Sequence, residues 1–173
     1  MVNAKFCPRC GTPLPGQPPT RCDRCAYELF VNPRPTGTVI LLRPAPTGPE
    51  FLALKRAREP RRGYWDLPGG FCDGWEHPAD AAVREAREEL GVDVRLGSFV
   101  GMYVDSYEFQ GELLPVLNHF WLATVVSGAI AVDAAEASGH AWFALAEPPA
   151  LAFSTMDRAI SDVVGLVGQR SGH

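Results

Sequence analysis

The stretch Gly70–Val92 constrains this chain more than any other, because one window fixes a loop, a helix and a crowd of acidic side chains. It reads G-x5-E-x7-R-E-U-x-E-E-x-G-U, where U is apolar, here Ala86 and Val92. Pro78 suits the first turn of a helix, where its missing N–H has no partner to lose. Gly91 suits the position just past a helix end, where the left-handed conformation is common. Between them Ala79, Ala82, Val83, Ala86 and Leu90 recur at helical spacing and predict a core-facing stripe. His77 falls at the N-cap, a place where Ser, Thr or Asp is the better choice.

Glu85, Glu88 and Glu89 stand at i, i+3 and i+4, so the helix crowds their carboxylates onto adjacent faces. Like charges at that spacing destabilise a helix by roughly 0.2–0.5 kcal/mol per pair. A local conflict of this kind is characteristic of functional sites. Mg²⁺ or Mn²⁺ removes it, since hard divalent cations prefer oxygen ligands and neutralise clustered carboxylates. Arg84 lies one turn before Glu88 and beside Glu85, and is expected to orient the carboxylates rather than touch a substrate. The rival reading is a solvated acidic face with a salt-bridged arginine; the complete pattern favours the metal.

A second motif stands near the start. Cys7-Pro-Arg-Cys10 and Cys22-Asp-Arg-Cys25 form C-x2-C-x11-C-x2-C. Two such pairs suit tetrahedral Zn²⁺ held by four thiolates, and Gly11 suits a tight knuckle turn. Disulfides are the alternative. No apolar leader follows Met1, so the expectation is a cytoplasmic chain with reduced thiols. A redox pair is disfavoured because no thioredoxin-like βα unit surrounds either C-x2-C. A segment of about 30 residues buries too little core to fold alone, so the metal is expected to hold it together. Lys5, Arg9, Arg21 and Arg24 make it basic and leave nucleic-acid or polyphosphate contact open, with a solvated surface the preferred reading. Cys72 is read as a small half-buried residue without a role.

The window from Gly70 to Val92 resembles the Nudix box at every defined position, and Tyr64-Trp65-Asp66-Leu67-Pro68-Gly69-Gly70 resembles the W-x-L-P-G-G run that often precedes it. The resemblance implies an α/β/α sandwich with a mixed sheet, and hydrolysis of a nucleoside diphosphate linked to another moiety. It implies that Glu85, Glu88 and Glu89, with the Gly69 carbonyl, ligate Mg²⁺ or Mn²⁺. It also implies that Glu76 braces the loop, that Arg84 positions the glutamates, and that an extra acid such as Glu136 lies in the loop before Trp142-Phe143. A homodimer is a further expectation of the resemblance. Ribbon plus box resembles the NADH pyrophosphatase branch, but no S-Q-P-W-P-F-P-x-S follows Val92, and the chain begins almost at Cys7.

The chain has 173 residues and divides by expectation into a ribbon over 1–32 and a main domain over 33–173. A net charge of −4 does not suggest a dedicated nucleic-acid binder, and no apolar stretch approaches membrane-spanning length. Asn32-Pro33-Arg34-Pro35 reads as a stiff linker. Strands are expected over Thr38–Leu42, Phe51–Leu54, Phe99–Phe109, Val116–Val126 and Ala141–Leu145, with a turn near Gly111 and a helix over Met156–Val167. In the basic run Lys55–Arg62, Arg56 or Arg62 is a candidate for a substrate phosphate, against a solvated loop. Glu108, Glu112, Asp133 and Glu136 are candidates for a general base. Trp65, Phe71, Trp75, Tyr103 and Tyr107 are candidates for stacking on a base, although core packing is the commoner fate of aromatics. Taken together the sequence reads as a metal-dependent pyrophosphohydrolase for substrates of the ADP-ribose, NAD(H) or nucleotide-sugar type. The alternative is a nucleotide-sensing module whose ribbon contacts protein or nucleic acid.

Overall fold

The computed structural model describes residues 4–170. Strands β1 (Thr20–Arg21) and β2 (Glu28–Leu29) pair antiparallel and carry the second cysteine pair between them. The rest of the chain builds a mixed sheet from β3 (Arg34–Arg43), β4 (Glu50–Arg56), β5 (Trp65–Asp66), β6 (Gly69–Phe71), β7 (Asp93–Phe109), β8 (Glu112–Ser127) and β9 (Ala137–Ala144). The strand order is β5-β4-β3-β8-β7, with β6 also pairing β3 and β9 also pairing β4. The β3–β8 pair is parallel and the other pairs are antiparallel. Helix α1 (Pro78–Leu90) packs on one face, and helix α2 (Ser154–Arg170) on the other.

Alternation along the two central strands explains the layers. Val39 and Leu41 of β3 join Leu52 and Leu54 of β4 under α1, with Ala82, Ala86 and Leu90. Ile40 of β3 joins Phe51 and Ala53 of β4 under α2, with Ile160 and Val163. A strand whose successive residues are all apolar must be covered on both faces, and the sandwich supplies both covers. Each fully buried Leu, Ile or Phe contributes about 1.5–3 kcal/mol relative to exposure, which makes the two cores the main source of stability.

Several expected boundaries move. β3 begins at Arg34, so the second half of the expected linker is strand, with Arg34 opposite Val116 and Pro35 opposite Leu117. Proline is admissible at such a strand start. β7 begins at Asp93 rather than near Phe99 and absorbs register shifts between Leu96 and Gly101. Gly69-Gly70-Phe71 forms β6, which no alternation announced. Gln110 and Gly111 both adopt left-handed conformations (φ 51° and 78°) and make the tight turn joining β7 to β8. In α1, Ala81 is fully buried while Ala79 is only half-buried, because the helix crosses β3 at Gly37. Among the described residues no helix is long and apolar enough to cross a membrane.

Candidate active-site cleft

Helix α1 is positioned at both ends and along its length. The His77 ring Nδ1 accepts the Ala79 N–H at 3.1 Å, so histidine performs the capping role of a shorter polar residue. Gly91 closes the helix at φ 67°, its N–H bonding to Arg87 O at 3.0 Å. Gly37 lets the helix lie on the strand: a Cβ there would stand 2.1 Å from Pro78 O and 2.6 Å from Ala82 N.

Arg84 ties the helix to the preceding loop. Its Nε and Nη2 each donate to Glu76 at 2.9 Å, and Nη2 also reaches Phe71 O at 3.0 Å. Its Nη1 donates to Glu85 at 2.8 Å and to Glu88 at 3.0 Å. Glu76 also accepts the Asp73 N–H at 3.0 Å. The Arg84 hydrogen bonds, followed by that backbone N–H, hold Glu76 down at about 2. The same carboxylates raise the Arg84 guanidinium above its ordinary value, with the Glu76 hydrogen bond the largest cause.

The other two glutamates sit deeper. The Glu85 carboxylate lies over Gly70, where a Cβ would come within 2.3 Å of Oε1. Burial raises its pKa against the pull of Arg84. Glu89 accepts the Gly69 N–H at 2.9 Å. Burial pushes Glu89 well up; Asp66 adds to the rise, the Gly69 N–H opposes it, and Glu85 and Glu136 add further. The three carboxylates line one cleft but do not meet at one point. Among the described residues only the four ribbon thiols bring three or more potential metal-ligand atoms within 4.8 Å of one another. Arg84 Nη1 stands between Glu85 and Glu88, and the Glu88 side chain is 58% exposed.

The cleft has a volume of about 610 Å³ and runs from the box glutamates across β3, β8 and β7 to the start of α2. Gly69, Glu85, Glu88 and Glu89 line it, as do Asp133 and Glu136 from the loop before β9. That loop is tied to the box helix by Asp133 N–H to Glu89 O at 3.0 Å. Glu136 pairs with Arg58 at 2.7 Å. Glu108 and Glu112 are not among the lining residues; they face Leu113 and Phe109 near the β7–β8 turn.

Arg56 lines the cleft, but its charge is engaged. It pairs with the half-buried Asp66, donates to Pro60 O at 2.8 Å, and lays its guanidinium 5.3 Å from the centre of Phe153. Burial raises Asp66, with Arg56 acting against it. Arg62 is not in the lining, so the expectation of a phosphate contact there lacks its geometry; its backbone N–H faces Glu59 at 3.4 Å. Of the aromatics, Phe71 and Tyr107 line the cleft at a centroid distance of 5.5 Å, and Tyr107 continues to Phe153 at 5.6 Å. Trp65 packs instead on Phe143, Tyr103 is buried with its hydroxyl donating to Asp162, and Trp75 is fully exposed.

Sequence reasoning passed over Asp66, Asp105, Asn118, Thr155 and Phe153 as site residues. Thr36 donates to Asn118 Oδ1 at 2.8 Å, and Asn118 Nδ2 donates to Thr155 Oγ1 at 3.1 Å, linking β3, β8 and α2 across the cleft floor. No spacing rule joins positions that far apart in sequence; an acid two residues before Pro68, inside the W-x-L-P-G-G run, was the one available signal.

In the ribbon, Cys7 and Cys25 sulfurs lie 3.7 Å apart and those of Cys10 and Cys22 3.6 Å apart. Both separations exceed a disulfide bond of about 2.05 Å and suit a shared tetrahedral ion. Two matching turns present the pairs: Gly11 N–H to Cys7 O and Ala26 N–H to Cys22 O, each 2.9 Å, with left-handed Gly11 (φ 71°) and Ala26 (φ 58°). The side-chain and backbone hydrogen bonds of Thr12 lower the Cys10 thiol, while the Cys25 thiol is raised, so the four sulfurs titrate as one group.

Comparison with known proteins agrees with the architecture. The chain is 30% identical to the NAD-capped RNA hydrolase NudC of Pseudomonas aeruginosa over 174 residues, covering 97% of this chain. It spans 57% of the length of that relative. It is 32% identical to an ADP-ribose pyrophosphatase of Methanocaldococcus jannaschii over 130 residues, covering 73% of this chain and 71% of that protein. The crystal structure of a MutT NUDIX hydrolase from Burkholderia pseudomallei superposes with a TM-score of 0.66 at 28% identity, covering 76% of this chain and 98% of the other. Residues 33–163 match the NUDIX domain, and the chain belongs to the NUDIX hydrolase family.

Proposed function

We propose that this chain is a divalent-metal-dependent hydrolase of the pyrophosphate bond in a nucleoside diphosphate joined to a second moiety. The observation that carries the reading is geometric: Glu85, Glu88 and Glu89 of one helix line a single cleft with Gly69, and the half-buried Glu89 is crowded by Asp66, Glu85 and Glu136. Carboxylates crowded in this way are neutralised by a divalent cation. Glu85, Glu88, Glu89 and the Gly69 carbonyl form an all-oxygen donor set that fits Mg²⁺ or Mn²⁺. When bound, such ions neutralise phosphate charge, acidify water and brace the leaving phosphate.

The remaining work belongs to the chain. Arg84 fixes the rotamers of Glu85 and Glu88 and clamps the loop through Glu76. Glu76 is a loop brace, and Arg84 and Glu76 are positioning residues. Glu136 stands beside Glu89 as the candidate extra ligand or base, with Asp133 three residues before it. Phe71, Tyr107 and Phe153 form an apolar wall for a flat ring.

The charge inventory narrows the substrate. Among the described residues Arg56 is the one cation lining the cleft, and it is already paired with Asp66 rather than left for a terminal phosphate. That favours a pyrophosphate substituted at both ends, as in ADP-ribose, NAD(H) or a nucleotide sugar, over a nucleoside triphosphate. The relatives named for ADP-ribose and for NAD-capped RNA act on such substrates, whereas a Bacillus subtilis relative is named as a putative 8-oxo-dGTP diphosphatase, so a nucleoside triphosphate belongs in the test. In the ribbon, Cys7, Cys10, Cys22 and Cys25 hold a structural Zn²⁺.

The test is turnover of ADP-ribose, NADH, UDP-glucose, NAD-capped RNA and a dNTP with Mg²⁺, with products identified by mass. A nucleoside monophosphate should form from the doubly substituted substrates. Glu89→Gln should lower kcat on the order of 100-fold or more, the size of losing one preorganised electrostatic element. Near-normal turnover in both Glu88→Gln and Glu89→Gln would remove the metal assignment.

A further inference from the structure

On its β7 side the cleft is lined by a further acid, Asp105. Tyr103, Asp105 and Tyr107 share one face of the strand by its two-residue period, opposite Asn118, Val116 and Leu114 of β8. Asp105 and Tyr107 line the cleft beside Phe153. Asp105 also lines the smaller groove of about 220 Å³ that continues outward past Phe153 and Ser154. Its carboxylate therefore stands where the aromatic wall ends.

The orientation of that carboxylate is fixed from two sides. The Ser106 N–H donates to Oδ1 at 2.7 Å, and the Ser154 hydroxyl, at the start of α2, donates to Oδ2 at 3.1 Å. No salt bridge among the described residues involves Asp105, unlike Asp66, Glu76, Glu85, Glu88 and Glu136. An ionised carboxylate can accept about four hydrogen bonds, and two acceptor positions are used. The remaining lone pairs belong to a rigid, half-buried acceptor beside a stacking surface.

Resting on the hydrolase reading above, we propose that Asp105 is a specificity-determining residue: it accepts a hydrogen bond from a donor carried by the nucleoside stacked on Phe71, Tyr107 and Phe153. The donor is an exocyclic amino group of the base or a ribose hydroxyl. A group with only acceptors at that place would face the carboxylate lone pairs and be rejected, because a site built to hydrogen-bond a donor strongly disfavours the analogue lacking it.

The experiment measures binding of AMP, IMP and 2′-deoxy-AMP with Mg²⁺ present, by calorimetry, to the full chain and to Asp105→Ala and Asp105→Asn. The wild-type protein should prefer AMP over IMP about tenfold or more if the base amine is read, or AMP over 2′-deoxy-AMP by that factor if the ribose is read, the size of one charge-assisted hydrogen bond. In Asp105→Ala that preference should fall to near unity. Asp105→Asn keeps an acceptor for Ser154 and guards against misfolding; it should melt with the wild type and lose most of the preference, since one oxygen becomes a donor. Equal wild-type affinity for all three nucleotides, or a preference retained in both variants, overturns the proposal. Wild-type turnover of ADP-ribose is measured beside it: a preference with no turnover would overturn the hydrolase reading and leave the Asp105 contact standing, and turnover with no preference would do the reverse.

Discussion

At the residue scale the cleft is organised by one guanidinium. Arg84 reaches Glu76, Glu85, Glu88 and the Phe71 carbonyl together, a geometry its fixed planar fork permits and a lysine cannot reproduce. Arg84→Lys should therefore lower kcat by about 10–100-fold with KM changed less, as expected for a residue that orients ligands rather than binding substrate; steady-state kinetics decides it. Gly70 is the second such position. A methyl group there would occupy the place of the Glu85 carboxylate, a flexible side-chain end that can swing away. Gly70→Ala should fold and melt near the wild type yet lose most Mg²⁺-dependent turnover, and parallel melting and activity measurements test both halves. Glu76 supplies a pH signature. Its folded-state pKa is depressed from 4.5 to about 2 by Arg84 and by the Asp73 N–H. Its stabilisation is therefore present above about 4.5 and lost as pH falls through about 2. In Glu76→Gln the acid limb of stability between those values should be shallower, as read by denaturant melts along a pH series. The sequence pattern named Arg84 and Glu76 as partners of the box; the bidentate contact eight residues apart needed the loop to fold back.

At the element scale the decisive contact is α1 on β3. The helix sits so close at Gly37 that backbone atoms of Pro78 and Ala82 would meet any Cβ. Those atoms cannot swing aside, unlike the Glu85 carboxylate over Gly70. Gly37→Ala should destabilise the domain by about 3 kcal/mol, the upper part of the overpacking range, and chemical denaturation measures it. The helix itself was readable from Pro78, Gly91 and its apolar spacing, and it forms over the expected residues. One member of the buried face was read two residues off, at Ala79 instead of Ala81, because the approach angle is set by Gly37 on a distant strand. The longer strands were readable from β-branched and aromatic runs. The starts of β3 and β7 were not, since Arg34-Pro35 and Asp93–Leu96 join the sheet through partners on β8 rather than through any preference of their own.

For the whole molecule, two metal chemistries are expected to behave independently. Saturating Mg²⁺ should raise the melting temperature of the wild type by mass action, and that increment should vanish when Glu85, Glu88 and Glu89 are all replaced by Gln. A strong zinc chelator should release about one Zn²⁺ per chain and unfold the ribbon, whose short β1–β2 pair offers little core of its own, while the circular dichroism of the main sheet persists. Metal analysis together with amide exchange resolves the two events. What the sequence alone determined were the features that are local in the chain. These are the helix bearing three acids, its arginine, the two cysteine pairs and the apolar runs that demand a two-sided sheet; each follows from a period or a short spacing, which a chain carries in its own order. The tertiary structure alone decided which acids share the cleft, that Arg56 is spent on Asp66 rather than left for phosphate, and that Phe71, Tyr107, Phe153 and Asp105 form one wall. Those residues come from separate strands and the start of α2, and their meeting depends on sheet order and helix packing, for which no spacing along the chain is a proxy.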